Sequence, residues 1–148
     1  RRKCIKCEYS GLDPYGNFSL TMTLDVSPAL SLDKQYIQSY SDTGFKVSDI
    51  IYNSPILVFP QSTEEWILYK ENEFSKKSFN TLLELTNKPE ILLLGCGRGA
   101  KMVPEEIRDL MGNQGIVVEP MGTGAACRTF NVLVLEERNV AAALLPIK

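Results

Sequence analysis

The chain has 148 residues, 16 Lys and Arg against 18 Asp and Glu, a formal charge of −2 and no His. With 44% hydrophobic and 23% charged residues it reads as one globular domain, neither disordered nor a carrier of membrane-crossing helices. Near-neutral charge argues against nucleic acid as the main partner. The absence of His removes Ser-His-Asp and Cys-His arrangements and any imidazole base, so most enzyme classes lose weight.

The chain opens on Arg1, Arg2 and Lys3, a basic start that reads as the remnant of a targeting segment or as an ordinary solvated end. Cys4 and Cys7 have zinc or redox spacing, but a structural zinc needs a second ligand pair. Cys96 and Cys127 do not form one locally, so no metal site is expected and Cys127 reads as a buried thiol. Leu20, Met22, Leu24 and Val26 then alternate with polar residues, which predicts a half-exposed strand or an extended arm. We expect that arm to dock on a partner, so residues 1–35 form a leader and arm and residues 36–148 a single domain.

From Gly44 the pattern is β-like. Phe45 and Val47, then residues 50–52, 56–59 and 66–69, predict a small β-meander over residues 45–69. Ser75 is placed to cap a helix with Phe79, Leu82 and Leu83 on one face. Residues 91–94 form a buried strand. Pro104 opens the next helix at its first position, with Ile107, Leu110 and Met111 as its apolar stripe. Residues 116–118 are a strand, Thr123 caps a third helix carrying Phe130, Leu133 and Val134, and residues 140–145 close as a strand. The second half is therefore of βαβ type, in an α/β domain. Residues 56–59 and 91–94 are expected to be neighbouring buried strands.

Gly95, Cys96, Gly97, Arg98 and Gly99 follow a buried strand and resemble the glycine loop of nucleotide-binding and methyl-transfer enzymes, with Glu119 ending the next strand as a ribose-binding acid would. Pro104 starts the helix too late for the dinucleotide fingerprint, and the 49 residues after Gly99 leave little further sheet. No cofactor is expected, and a tight strand-to-helix loop is the plainer reading. Thr123, Gly124 and Arg128 begin the third helix, where Arg98 and Arg128 could form an anion site or meet a partner's acids. The candidate contact residues are thus Gly95, Gly97, Arg98, Gly99, Lys101, Thr123, Gly124 and Arg128.

The run from Gly122 to Leu133, followed by Val140 to Leu144, resembles the C-terminal signature of the complex I assembly factor 3 family. Residues 40–45, with Tyr52, Pro60 and Trp66, are similar to its N-terminal half. The resemblance covers residues 36–146. The family usually has Thr at the position of Cys96 and Asp at that of Gly122. The resemblance implies a three-layer domain with a mixed central sheet and a non-catalytic role in building mitochondrial respiratory complex I. It further implies other assembly factors and complex I subunits as partners in a hetero-complex, in the matrix or peripheral to the inner membrane through those partners. A resident accessory subunit of a respiratory or ribosomal complex is the alternative, with an S-adenosylmethionine-dependent methyltransferase behind it.

Overall fold

In the computed structural model, residues 34–68 and 74–147 are described in full, together with the backbone of two strands, β1 (Lys6–Tyr9) and β2 (Met22–Asp25). There follow β3 (Ile37–Tyr40), β4 (Phe45–Val47), β5 (Ile50–Tyr52), β6 (Ile56–Val58) and β7 (Thr63–Glu65). A 3-10 turn at Lys76–Phe79 leads into α1 (Asn80–Leu83). Then come β8 (Ile91–Cys96), α2 (Glu105–Gly112), β9 (Val117–Met121), α3 (Thr123–Leu135) and β10 (Val140–Leu145).

The strands form two sheets, β1-β2-β3-β4-β5 and β7-β6-β10-β8-β9. The expected meander is therefore divided. Its first two strands belong to one sheet and β6 and β7 to the other, because the turn at Asn53 and Ser54 carries the chain across between them. Residues 66–68 are not a strand as expected, and Tyr69 lies outside the described residues; the strand is β7, just before Trp66. Trp66 N–H still donates to Pro55 O at 2.8 Å, while its indole turns inward, Nε1 donating to Ser78 O at 2.6 Å and the ring packing on Phe79.

Both apolar runs, β6 and β8, are buried strands, but they are not neighbours. β10 lies between them, antiparallel to β6 and parallel to β8. It fits there because its residues are buried on both faces. Val140, Ala142 and Leu144 face the first sheet and α3, while Ala141, Ala143 and Leu145 face α2 and the Trp66 cluster. Crossover handedness sets the layers. The step from β8 to β9 and the return past β8 to β10 run in opposite directions, so right-handed connections put α2 and α3 on opposite faces. Ile107 and Met111 of α2 fill one core, and Ala126, Cys127, Phe130 and Val134 of α3 fill the other. The result is a three-layer α/β domain around a mixed central sheet.

Three local expectations shift by a residue or two. Ser75 makes no side-chain cap, and a 3-10 turn followed by one α turn replaces the predicted helix. Pro104 (φ −54°, ψ 138°) is the residue before α2, where its carbonyl accepts from Ile107 and Arg108. Gly122, not Thr123, precedes α3.

Candidate functional site

α2 and α3 leave the carboxyl ends of β8 and β9 on opposite faces of the sheet, and α/β folds commonly hold ligands in the crevice this creates. The sequence-predicted loop and helix start do meet there. Thr123 N–H donates to Gly97 O at 2.8 Å, and Gly97 N–H donates to Thr123 Oγ1 at 2.9 Å. The same hydroxyl donates to Leu145 O, at the end of β10. Thr123 is fully buried, so one side chain joins the ends of two strands to the start of α3. The crevice is filled by the chain itself.

The glycines serve that closure. A Cβ on Gly95 would lie 2.8 Å from Leu144 Cδ2 and 3.2 Å from Thr123 Cα, so its lack of a side chain lets α3 start against the strand. Gly97 has φ +89°, a left-handed conformation that turns the chain from β8 into the loop. Gly124 lies under the Tyr40 ring, where a Cβ would stand 2.5 Å from the phenolic oxygen. A Cβ on Gly99 would meet nothing within 4 Å, and the residue is exposed. Glu119 is exposed in the middle of β9, opposite Leu93, and not at the strand end where a ribose-binding acid was expected.

Three cations lie on the loop and the helix start that close this crevice. Arg98 and Lys101 are exposed on the loop, Arg128 is half-buried on α3, and none has a carboxylate partner among the described residues. Between the loop and α2, Met102 is 92% exposed. Cys96 and Cys127 are buried thiols. Cys4 lies outside the described residues, and Cys7 lies in β1. Among the described residues no group of three acidic or thiol side chains could hold a metal ion, and no helix is long and apolar enough to cross a membrane. Of the predicted arm, Met22 and Leu24 lie in β2, which pairs with β3 of the same chain (Met22 with Tyr40, Thr23 with Ser39). Strand pairing thus crosses the boundary drawn at residue 35. Leu20 and Val26 lie outside the described residues.

Two features had no sequence signal of their own. Asn131 of α3 is buried, accepts from Ile37 N–H and donates to Ile37 O, both at 2.9 Å, and so pins the first sheet to the helix. A lone Asn on an apolar helix could have been flagged, but not its partner 94 residues away. The second is a cleft of about 480 Å³ at the opposite end of the central sheet, lined among others by Lys34, Phe59, Pro60, Leu85, Pro89 and Arg138. It gathers residues from four separate segments.

The fold is thus a mixed-sheet α/β domain whose switch-point crevice is closed by its own threonine. Residues 37–145 match the family described as "Protein of unknown function (DUF498/DUF598)", and the chain belongs to this family. It is 32% identical over 111 residues to NADH dehydrogenase (ubiquinone) 1 alpha subcomplex assembly factor 3 of Mus musculus, which bears out the resemblance seen in the sequence. It is 34% identical to the protein of that name from Drosophila melanogaster over 113 residues, 74% of this chain and 58% of that one. The mouse match covers 75% of this chain and 60% of the relative, so the chain spans about 60% of that protein's length. Among solved structures, an outer membrane protein from Bartonella henselae superposes with a TM-score of 0.71 at 33% identity, covering 78% of this chain and 97% of that one. A Bordetella pertussis protein described as a Mth938-like domain gives 0.66 at 26%, covering 84% and 92%.

Proposed function

We propose that this chain takes part in the assembly of mitochondrial respiratory complex I as a non-catalytic protein-binding scaffold. The observation that carries this is the 32–34% identity, across most of the α/β domain, to animal proteins named as complex I assembly factor 3. The closed crevice supports a scaffold over an enzyme, because Thr123 ties the loop, the end of β10 and the start of α3 together at the switch point where α/β folds commonly hold ligands. The partners are other complex I assembly factors and complex I subunits, in a hetero-complex on the matrix side and peripheral to the inner membrane through those partners.

The docking surface in this reading is the loop of residues 95–101 with the start of α3 at residues 123–128. Arg98, Lys101 and Arg128 meet acidic groups of a partner, and solvent-accessible cations without a carboxylate partner among the described residues make such contacts sensitive to salt. Native separation of mitochondrial complexes, with mass spectrometry of each band, tests the role. Co-migration with partly built complex I is expected. Migration only with a finished complex or with the mitochondrial ribosome favours a resident subunit, and a purely monomeric pool defeats both. Reversing the charge at Arg98, Lys101 and Arg128 should abolish co-migration while leaving thermal unfolding unchanged. Calorimetric binding of S-adenosylmethionine or a nucleotide tighter than about 100 μM, or ~5.5 kcal/mol, would defeat the non-catalytic reading.

A further inference from the structure

Five consecutive residues of the loop after β8, from Arg98 to Met102, are exposed. Met102 stands furthest out. It is 92% exposed, whereas the other large apolar side chains at the surface of the described residues are 40–68% exposed. Methionine has three rotatable bonds with which to lie down on neighbouring apolar surface, and Met102 does not do so.

The loop that presents it is held at both ends. Gly97 O accepts from Thr123 N–H at 2.8 Å on one side. On the other, Val103 is 3% exposed and packs in the core with Ile107 and Met111 of α2, just ahead of Pro104. A loop fixed before contact loses little conformational entropy when it docks.

We propose that Met102 is the apolar anchor of the docking surface, and that the partner is a protein offering it an apolar pocket rimmed by carboxylates. This rests on the reading of residues 95–101 and 123–128 as that surface. Protein interfaces are enriched in Met and Arg, with an apolar anchor in a pocket and charge at the rim. Here the rim is cationic: Arg98 and Lys101 precede Met102 on the loop, Arg128 lies on the helix start bonded to it, and none has a carboxylate partner among the described residues. Charge also selects a pocket over a lipid headgroup layer. A flat anionic surface that received Met102 would meet the exposed carboxylate of Glu105, only three residues further on. A discrete pocket takes the methionine and places its carboxylates only beside the three cations.

Native separation of mitochondrial complexes tests the anchor apart from the assembly role. Met102→Asp should lower the share of the chain that co-migrates with partly built complex I at least about tenfold, because it removes the apolar anchor and sets a carboxylate among carboxylates. Met102→Leu should retain that share, as should Val117→Asp at the far end of the sheet, where Val117 pairs with Ile91. Met102→Asp should keep the wild-type melting temperature, because the side chain replaced touches little of the fold. A photoreactive benzoylphenylalanine at position 102 should cross-link, within partly built complex I, to a peptide carrying apolar and acidic residues. Phosphatidylcholine vesicles with about 30% phosphatidylglycerol should not bind the chain. A wild type that never co-migrates defeats the assembly reading and the anchor with it. A wild type that co-migrates, with Met102→Asp doing so equally, overturns the anchor alone. So does a cross-link to a peptide without acidic residues, or vesicle binding that Met102→Asp abolishes.

Discussion

At the carboxyl ends of β8 and β10 the Thr123 hydroxyl bonds to Gly97 N–H and Leu145 C=O, and the helix start packs flush against the strands. At the amino ends of the same two strands, a cleft of about 480 Å³ stands open between Phe59, Pro60, Leu85 and Arg138. The glycine-rich end, which reads as a ligand loop, is thus the closed one. Glycine after a strand has two uses: it brings backbone close to a ligand, or it brings a helix close to the strand. Only the neighbours of Gly95 and Gly124, which are Leu144, Thr123 and Tyr40, show that the second applies here. The cleft, by contrast, is built from loops that have no motif.

If the carboxyl end is structural, substitutions there should cost far more than substitutions around the cleft. The largest effect is expected for Thr123→Val, which keeps the shape but removes the buried hydroxyl that accepts from Gly97 N–H and donates to Leu145 C=O. Urea unfolding should show a loss of about 3 kcal/mol, with Thr123→Ser staying within about 1 kcal/mol of wild type. A Thr123→Val protein as stable as wild type would mean that the hydroxyl does not hold this end together.

Next comes Gly97→Ala, which forces a side chain into a left-handed backbone and should cost about 1–2 kcal/mol in the same assay. Gly99→Ala is its control. With open space around it, that change should stay within about 0.5 kcal/mol. Gly124→Ala pushes on the buried Tyr40 ring and should cost about 1 kcal/mol, part of it relieved by a shift of the phenol. The smallest effects belong to the open end, where Gln61→Ala and Arg138→Ala, both at exposed positions, should each remain within about 0.5 kcal/mol. Costs at the cleft equal to those at Thr123 would erase the distinction between the two ends.

Much of the architecture is legible along the chain because it is local. The apolar run that becomes β8, the stripe of Ile107 and Met111, and the spacing of Phe130 and Val134 on α3 follow from periodicity alone. Two stretches of the family signature, residues 40–45 and 122–133, meet in the fold, where Tyr40 and Phe45 pack in one core with Ala126, Cys127 and Phe130. Tyr40 over Gly124 is one of those contacts, and Asn131 on Ile37 continues the same interface along β3. Trp66 misleads because an apolar run beside a turn looks the same whether it joins a ladder or sends its indole to Ser78.

Local pattern in the chain therefore dictates an inventory: a βαβ-type half, two apolar strand runs, a His-free surface chemistry and a family. Adjacency belongs to the folded molecule alone. β10 separates β6 from β8, the meander divides between two sheets, and Thr123 reaches residues 26 positions behind it and 22 ahead to close the crevice. The cause is range. A hydrophobic period reports which face of an element is buried, whereas the choice among buried partners rests on strand pairing, crossover handedness and the need to satisfy each buried polar group. Those terms are settled between residues far apart in the chain, and no local pattern records them.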